Sequence, residues 1–296
     1  MRITLADSLG MCFGVRDAVA LALSNPQPRE LTVLGELVHN PEVLRQLSQA
    51  GIRSAASPDA PVATEQVIVT AHGTSDRQLA DLRARGLRVL DATCPLVRHA
   101  HRSLRRLLAQ GYFPVVIGRA EHVEVRGLVG DLDEYAVVLK PEDLDQLAGR
   151  PRLGIVAQTT QPLDLVRQVV ARIRARFPET EVKFLDTVCQ PTKDRQEAAR
   201  RLAADVDVMV VIGGRTSNNT LQLARTCAAE GAATYQVENA ADLHPEWFAH
   251  AGHVGVTAGT STPDSTIAEV VEALYRFDER RTPTDERERE PAALSA

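Results

Sequence analysis

The sequence predicts an α/β protein of three similar βα units arranged about a pseudo-threefold axis. Three observations predict it. Short Val/Ile-rich runs alternate with amphipathic, Ala/Leu/Arg-rich stretches. A cysteine recurs three times at the same phase of that alternation. Polar residues then recur at fixed distances behind each cysteine. Short apolar runs bounded by glycine, proline or polar turns read as buried strands of a parallel sheet. Their alternation with helical stretches reads as βαβ units.

In chain order, Ile3-Thr4-Leu5 leads to Cys12, with Arg16 four places on. Apolar runs follow at 31–34 and 66–69. Leu87-Arg88-Val89-Leu90 then leads into Asp91-Ala92-Thr93-Cys94, with Arg98 four places on and a helix expected over 98–110. Runs at 115–117 and 154–156 and a helix over 163–176 come next. Val182-Lys183-Phe184-Leu185 leads into Asp186-Thr187-Val188-Cys189, with Lys193 four places on. Helices over 194–204, 221–230 and 267–277 enclose runs at 206–212 and 254–256. The expected division is 14–93, 94–188 and 189–277, with residues 1–13 crossing over to supply the third unit's missing strand. Residues 278–296 are Glu/Arg/Pro-rich without periodicity and are expected to be a disordered tail.

Spacing tests the repeat, because internal self-similarity is the mark of repeated architecture. Gly35, Gly118 and Gly213 end strands 23, 24 and 24 residues after the three cysteines. Four places past each glycine stand His39, His122 and Ser217. A further strand then ends at Ala71-His72-Gly73, Ala157-Gln158-Thr159 and Ala258-Gly259-Thr260-Ser261. Generic α/β punctuation accounts for glycines after strands. It does not put cysteine and then His/Ser in one phase three times.

Composition narrows the function. The 296 residues carry a net charge of −5 and only 4% aromatics, with no basic stripe, so nucleic-acid binding is not expected. No run approaches ~20 apolar residues, so no membrane span is expected. The N-terminus lacks a signal peptide's apolar core, which points to the cytoplasm. There, four cysteines read as ligands or free thiols rather than disulfides.

Cys12, Cys94 and Cys189 fit structural zinc poorly, since zinc wants four ligands, often in close cysteine pairs. Iron–sulfur ligation fits better, and three donors on a four-iron cluster leave one iron open. Any one of these cysteines alone reads as a buried structural residue; three in phase do not. Cys227 has no strand before it and reads as a core-facing helix residue.

His39, His72 and His122 stand at strand ends, with Ser217, Asn219 and Ser261 at corresponding places. Imidazole, hydroxyl and amide donors converging there suit an oxygen-rich anion such as a diphosphate; metal ligation by the three histidines is the competing reading. Walker A and Gly-x-Gly-x-x-Gly motifs are absent. His99, His101, His244, His250 and His253 read as structural or solvated, the last three in a loop-rich stretch. Glu124 lies two past His122, and an extended or tightly turned backbone would face both side chains one way. Near a cluster and a diphosphate its carboxyl would hold its proton and act as a donor. Thr159 suits a proton relay or a substrate hydroxyl; alone it would be only a helix cap.

These stretches together resemble the 4-hydroxy-3-methylbut-2-enyl diphosphate reductase (LytB/IspH) family. The matching pieces are Gly10-Met11-Cys12-Phe13-Gly14-Val15, Gly35-Glu36-Leu37-Val38-His39-Asn40, Ala71-His72-Gly73 and Asp91-Ala92-Thr93-Cys94-Pro95. They continue with His122-Val123-Glu124-Val125, Gln158-Thr159-Thr160, Cys189 with Arg195-Gln196-Glu197-Ala198, Thr216-Ser217-Asn218-Asn219, and Gly255-Val256-Thr257-Ala258-Gly259-Thr260-Ser261. The resemblance spans residues 1 to about 277. It implies a trefoil of three α/β units around one central [4Fe–4S] cluster, held by Cys12, Cys94 and Cys189 with one open iron. It implies that His39, His72, His122, Ser217, Asn219 and Ser261 hold a diphosphate, with Asn218 and Thr159 beside it. Glu124 would deliver the proton that lets an allylic hydroxyl leave, and the open iron would act as Lewis acid. A small electron donor such as ferredoxin or flavodoxin is implied too.

Asn218 stands where serine is common, Met11 where phenylalanine is usual, and Arg126 where glycine or glutamate often lies. Arg126 is expected to lower the pKa of Glu124. The alternatives are a diverged paralogue, a non-catalytic [4Fe–4S] redox sensor and a zinc hydrolase. A sensor needs the cysteines and not the polar shell; a zinc hydrolase leaves the cysteines unexplained.

Overall fold

The computed structural model describes residues 1–57 and 59–281. Among the described residues, twelve strands form three four-stranded sheets, parallel throughout. The first holds β2 (Leu31–Leu34), β3 (Arg53–Ala55), β4 (Gln66–Val69) and β5 (Arg88–Asp91) in the order β3-β2-β4-β5. The second holds β6 (Phe113–Ile117), β7 (Ala136–Val138), β8 (Arg152–Ala157) and β9 (Glu181–Phe184) in the order β7-β6-β8-β9. The third holds β10 (Val208–Ile212), β11 (Ala233–Val237), β12 (His253–Ala258) and, from the start of the chain, β1 (Arg2–Leu5). Its order is β11-β10-β12-β1, the same pattern with β1 in the place of β5 and β9. Arg2 sits opposite His253 and Leu5 opposite Val256.

The helices repeat as well. α1 (Phe13–Leu23), α4 (Pro95–Ala109) and α7 (Gln190–Ala203) each begin at the residue after a cysteine. α2 (Pro41–Gln49), α5 (Val123–Val129) and α8 (Asn218–Ala229) follow the first strand of each unit. α3 (Asp76–Ala84), α6 (Leu163–Arg176) and α9 (Asp264–Arg281) follow the third. Both faces of each sheet are covered, so β2, β4 and β10 are buried along their whole length. Such strands read as unbroken apolar runs for that reason. The fourth strands β1, β5 and β9 are only half-buried. They are the strands that deliver the cysteines.

Several boundaries differ from the sequence expectation. α4, α7, α8 and α9 start three or four residues early. Their first turns are led by proline or polar residues, which carry no apolar period but suit a helix start. α9 continues to Arg281, past the expected onset of the tail, and Asp278 accepts a bond from the Met1 amino group at 2.6 Å. Residues 282–296 of that expected tail lie outside the described residues. His253, expected in a loop, opens β12 and contacts Thr4 at 2.9 Å. Among the described residues no helix is long and apolar enough to cross a membrane.

Candidate active site

Each of Cys12, Cys94 and Cys189 is the N-cap of the helix that follows it, in extended or near-extended backbone. Their backbone N–H groups donate to Thr260 O (3.0 Å), Ala71 O (3.0 Å) and Thr159 O (2.9 Å). These acceptors lie in the turns after the third strand of each unit. One backbone bond thus joins each cysteine to the turn that carries Ser261, His72 or Thr159. The Asp-x-x-Cys spacing also has a local cause. Asp91 accepts from Thr93 N at 3.0 Å, and Asp186 from Val188 N at 3.1 Å, so each aspartate builds an Asx turn that sets up the helix start. The basic residues four past the cysteines close the motif: Arg98 pairs with Asp91 (3.0 Å) and Lys193 with Asp186 (2.8 Å). At the first corner Leu9 replaces the aspartate, and Arg16 pairs with Asp264 of α9 instead (3.2 Å).

Cys12 lies close enough to Cys94 and to Cys189 for its charge to act on both. Cys94 Sγ rests against Gly14 of α1, where an added Cβ would lie 2.4 Å from the sulfur. Cys189 Sγ contacts Thr192 Oγ1 at 3.0 Å. Burial pushes the Cys189 thiol up to about 11 and raises that of Cys94. The amides of Leu96, Val97 and Thr192 and the Thr192 hydroxyl oppose the rise, while negative charge on Cys12 and Glu124 adds to it. Cys12, Cys94 and Cys189 are free thiols, each half-buried. Cys227 lies apart in the core of the third unit, as expected, with its thiol pushed up to about 12 by burial.

The histidines form a second cluster. Ring centroids of His39 and His72 lie 4.4 Å apart, and each is 5.5 Å from His122. His39 directly precedes Asn40, the cap of α2. His72 follows β4, and His122 caps α5. The His122 Nδ1 accepts from Glu124 N at 3.1 Å, which leaves Nε2–H as the free donor. Burial, then His39 and neighbouring arginines, hold His122 down to about 4. Burial and the other two rings hold His72 well below 6.5. His39 Nδ1 contacts Glu36 at 2.7 Å.

A cavity joins His39, His72 and His122 to Thr160, Ser217, Asn218, Asn219, Thr260 and Ser261. Ser217 caps α8, and its hydroxyl accepts from Thr220 N at 3.4 Å. Ser261 Oγ donates to His39 O at 3.2 Å, tying the third unit to the first. Asn218 is engaged within the cavity wall: its amide donates to Thr160 O (3.2 Å) and to Thr160 Oγ1 (3.0 Å), tying the third unit to the second. Asn219 is 2% exposed, and neither of its amide atoms has a partner. A buried amide left unpaired costs about 1–3 kcal/mol, and this one lines the cavity with its donor and acceptor both free.

Glu124 is 1% exposed. Of the extended and turned alternatives for the 122–125 stretch, the backbone takes a turn: Glu124 sits in the first turn of α5, which His122 caps. From there its carboxyl crosses to the third-strand turn. It accepts from Thr159 N at 2.6 Å and Thr159 Oγ1 at 2.9 Å. Burial pushes the Glu124 pKa up to about 7, against these two bonds, which lower it. The expected effect of Arg126 is absent. Arg126 is an exposed residue that helps to depress His122, and it is not among the groups acting on Glu124. A side chain two residues on along a helix points away.

Sequence reasoning assigned no role to Thr192 or Arg195. Arg195 is 7% exposed on α7 and donates to Gly10 O at 2.9 and 2.7 Å. Its only sequence signal was its place in a quoted motif, since a helical arginine reads as surface.

Fold and site together define a three-unit α/β protein with three helix-capping cysteines beside a histidine-lined pocket. The sequence model of the LytB protein family matches residues 3–275, and the chain belongs to that family, whose members are iron–sulfur enzymes. A relative from Geobacter sulfurreducens, a 4-hydroxy-3-methylbut-2-enyl diphosphate reductase, is 37% identical over 95% of this chain and 99% of its own length. Its namesake from Aquifex aeolicus is 38% identical over 94% and 97%. Among solved structures, an (E)-4-hydroxy-3-methyl-but-2-enyl diphosphate reductase, described as the terminal enzyme of the non-mevalonate pathway, superposes with a TM-score of 0.67. It is 37% identical and covers 93% of this chain and all of its own. The Plasmodium falciparum reductase superposes with a TM-score of 0.84 over 96% of this chain and 89% of its own; at 24% identity it speaks to fold alone.

Proposed function

We propose that the chain reduces 4-hydroxy-3-methylbut-2-enyl diphosphate to isopentenyl and dimethylallyl diphosphate, the last step of the non-mevalonate route. Two electrons and two protons enter, and the allylic hydroxyl leaves as water. The observation that carries this reading is one junction where three in-phase cysteines, three packed histidines and a buried, proton-retaining glutamate meet.

The residues present fit a [4Fe–4S] cluster. Three thiols sit at helix N-caps, where amides and the positive helix end favour anionic sulfur. When bound, the cluster supplies electrons and a Lewis-acidic iron without a protein ligand. The remaining work belongs to side chains. Neutral His72 and His122 donate N–H bonds to the diphosphate without a charge to desolvate. Asn219, Ser217, Ser261 and His39 complete the anion's shell, and Asn218 braces the pocket through Thr160. Diphosphate held there orients the hydroxyl end towards Glu124. Glu124 delivers the proton, and Thr159, bonded to its carboxyl, holds that carboxyl in place and contacts the substrate hydroxyl. A histidine-bound metal would leave the buried cysteines and Glu124 without a task. We take the units to be 14–93, 94–188 and 189–277 with 1–13, the compartment to be cytoplasmic, and the electron donor to be a ferredoxin or flavodoxin.

Anaerobic purification with iron and sulfide analysis, then addition of this diphosphate and a reductant, tests the proposal. About four irons per chain and turnover are expected. A colourless, iron-free protein would sink it, and a cluster without turnover would favour a sensor or paralogue.

A further inference from the structure

The three cysteine corners are alike except in what precedes them. At Cys94 and Cys189 an aspartate three places back folds the turn. At Cys12 that place is Leu9, which has no side-chain acceptor. The turn is held instead from a helix far along the chain. Arg195, one turn into α7, donates to Gly10 O through both Nε (2.9 Å) and Nη2 (2.7 Å), and Nη2 also reaches Leu9 O (3.4 Å). Nη1 donates to Pro191 O at 2.9 Å, in the first turn after Cys189. One guanidinium therefore grips the loop before Cys12 and the helix start after Cys189.

The same group carries a buried charge. Among the described residues no carboxylate pairs with Arg195 at ion-pair distance. Carbonyls satisfy its N–H groups but do not neutralise it, and an uncompensated buried ion is costly. Burial lowers its pKa; negative charge placed on the Cys12 or Cys189 sulfur, then Asp194, would favour its charged form, against Arg16.

We propose that Arg195 is a positioning residue for the iron–sulfur site. It clamps the Cys12 loop in the place of the missing aspartate, and it is the counter-ion that favours added negative charge on the cluster. The second half rests on the cluster reading above; the clamp does not. Lysine keeps the charge but cannot make the three-carbonyl fork, so two variants separate the parts.

The test is a redox titration of the anaerobic holoprotein with amide hydrogen exchange of residues 9–12. Gly10 N–H donates to Ala258 O (3.1 Å) and Cys12 N–H to Thr260 O (3.0 Å), so loop opening reads out there. Arg195→Gln is expected to shift the cluster's midpoint potential negative and to speed exchange at those amides by roughly tenfold or more. Arg195→Lys is expected to hold the potential near the parent's and still exchange faster. Arg195→Gln with the parent's potential and exchange overturns the proposal. Should Arg195→Gln fail to fold, Arg195→Lys decides: parental exchange overturns the clamp, and a negative shift of its potential overturns the counter-ion. If the parent binds no iron, the cluster reading falls by iron analysis, while exchange in parent and variant still decides the clamp.

Discussion

Glu124 shows how one carboxyl becomes a donor by placement. Its burial raises the pKa to about 7, against two bonds from Thr159 that favour the ionised form. Glu124→Gln keeps the shape and removes the proton. We expect turnover to fall by roughly 10²–10⁴-fold with iron content and diphosphate affinity retained, as measured by steady-state kinetics beside iron analysis. The parent's rate should fall as pH rises through about 7. Stability follows the same proton. The folded carboxyl keeps it up to about 7, whereas the ordinary value is 4.5, so the folded state binds more protons between these limits. That contribution is complete below 4.5 and is lost as pH rises through about 7. Thermal unfolding at pH 5 and pH 8 should show the parent losing more stability than Glu124→Gln. Asn219 makes the opposite case, because its amide finds no partner within the protein. Asn219→Ala should raise the KM for the diphosphate roughly ten- to hundredfold without lowering the Tm of the ligand-free protein. A lowered Tm with unchanged KM would make Asn219 structural. That His39, His72 and Ser261 line one cavity was legible from their places at strand ends; that Asn218 braces Thr160 was not, because an asparagine's direction depends on its neighbours.

At the scale of elements, one device recurs: a half-buried fourth strand, a turn, and a cysteine at the head of a helix. Two turns are written into the sequence as Asp-x-x-Cys with a base four places on, and both aspartates make the bonds that spacing requires. The helix after each cysteine must also come close to its neighbours, and Gly14 is where α1 does. A Cβ there would meet Cys94 Sγ at 2.4 Å and Cys94 Cβ at 3.2 Å. Gly14→Ala should therefore lower iron per chain after anaerobic purification while far-UV circular dichroism stays unchanged, although alanine favours a helix by about 1 kcal/mol. Full iron content in that variant would place the sulfur elsewhere. The helix over 123–129 escaped the sequence reading because it is short and His122, an uncommon cap, starts it.

In the whole molecule, each unit owns its sheet and its core, and the units meet at the polar junction. Removing iron with a chelator should therefore leave secondary structure intact and lower the Tm. The fall should be about 2–4 °C for each kcal/mol lost, read by circular dichroism and calorimetry before and after chelation. Loss of the helical signal on chelation would mean that the metal, not the three cores, holds the units folded. β1 adds to this economy: the chain's first strand completes its last sheet, so the Cys12 corner depends on β12 and α7 rather than on its sequence neighbours.

Periodicity and phase were enough to reveal the α/β class, the three copies, the cysteine set and the histidine shell. These are properties of local order, in which apolar period, turn chemistry and spacing are all contained in neighbouring residues. Tertiary structure alone decided how the Cys12 corner is held and how Glu124 keeps its proton. The partner of Glu124 is 35 residues away along the chain, and the carbonyls gripped by Arg195 are 185 and 186 away. A carboxyl that keeps its proton and an arginine that loses its water are consequences of burial. Burial is set by packing between elements far apart in the chain, which no local pattern of residues records.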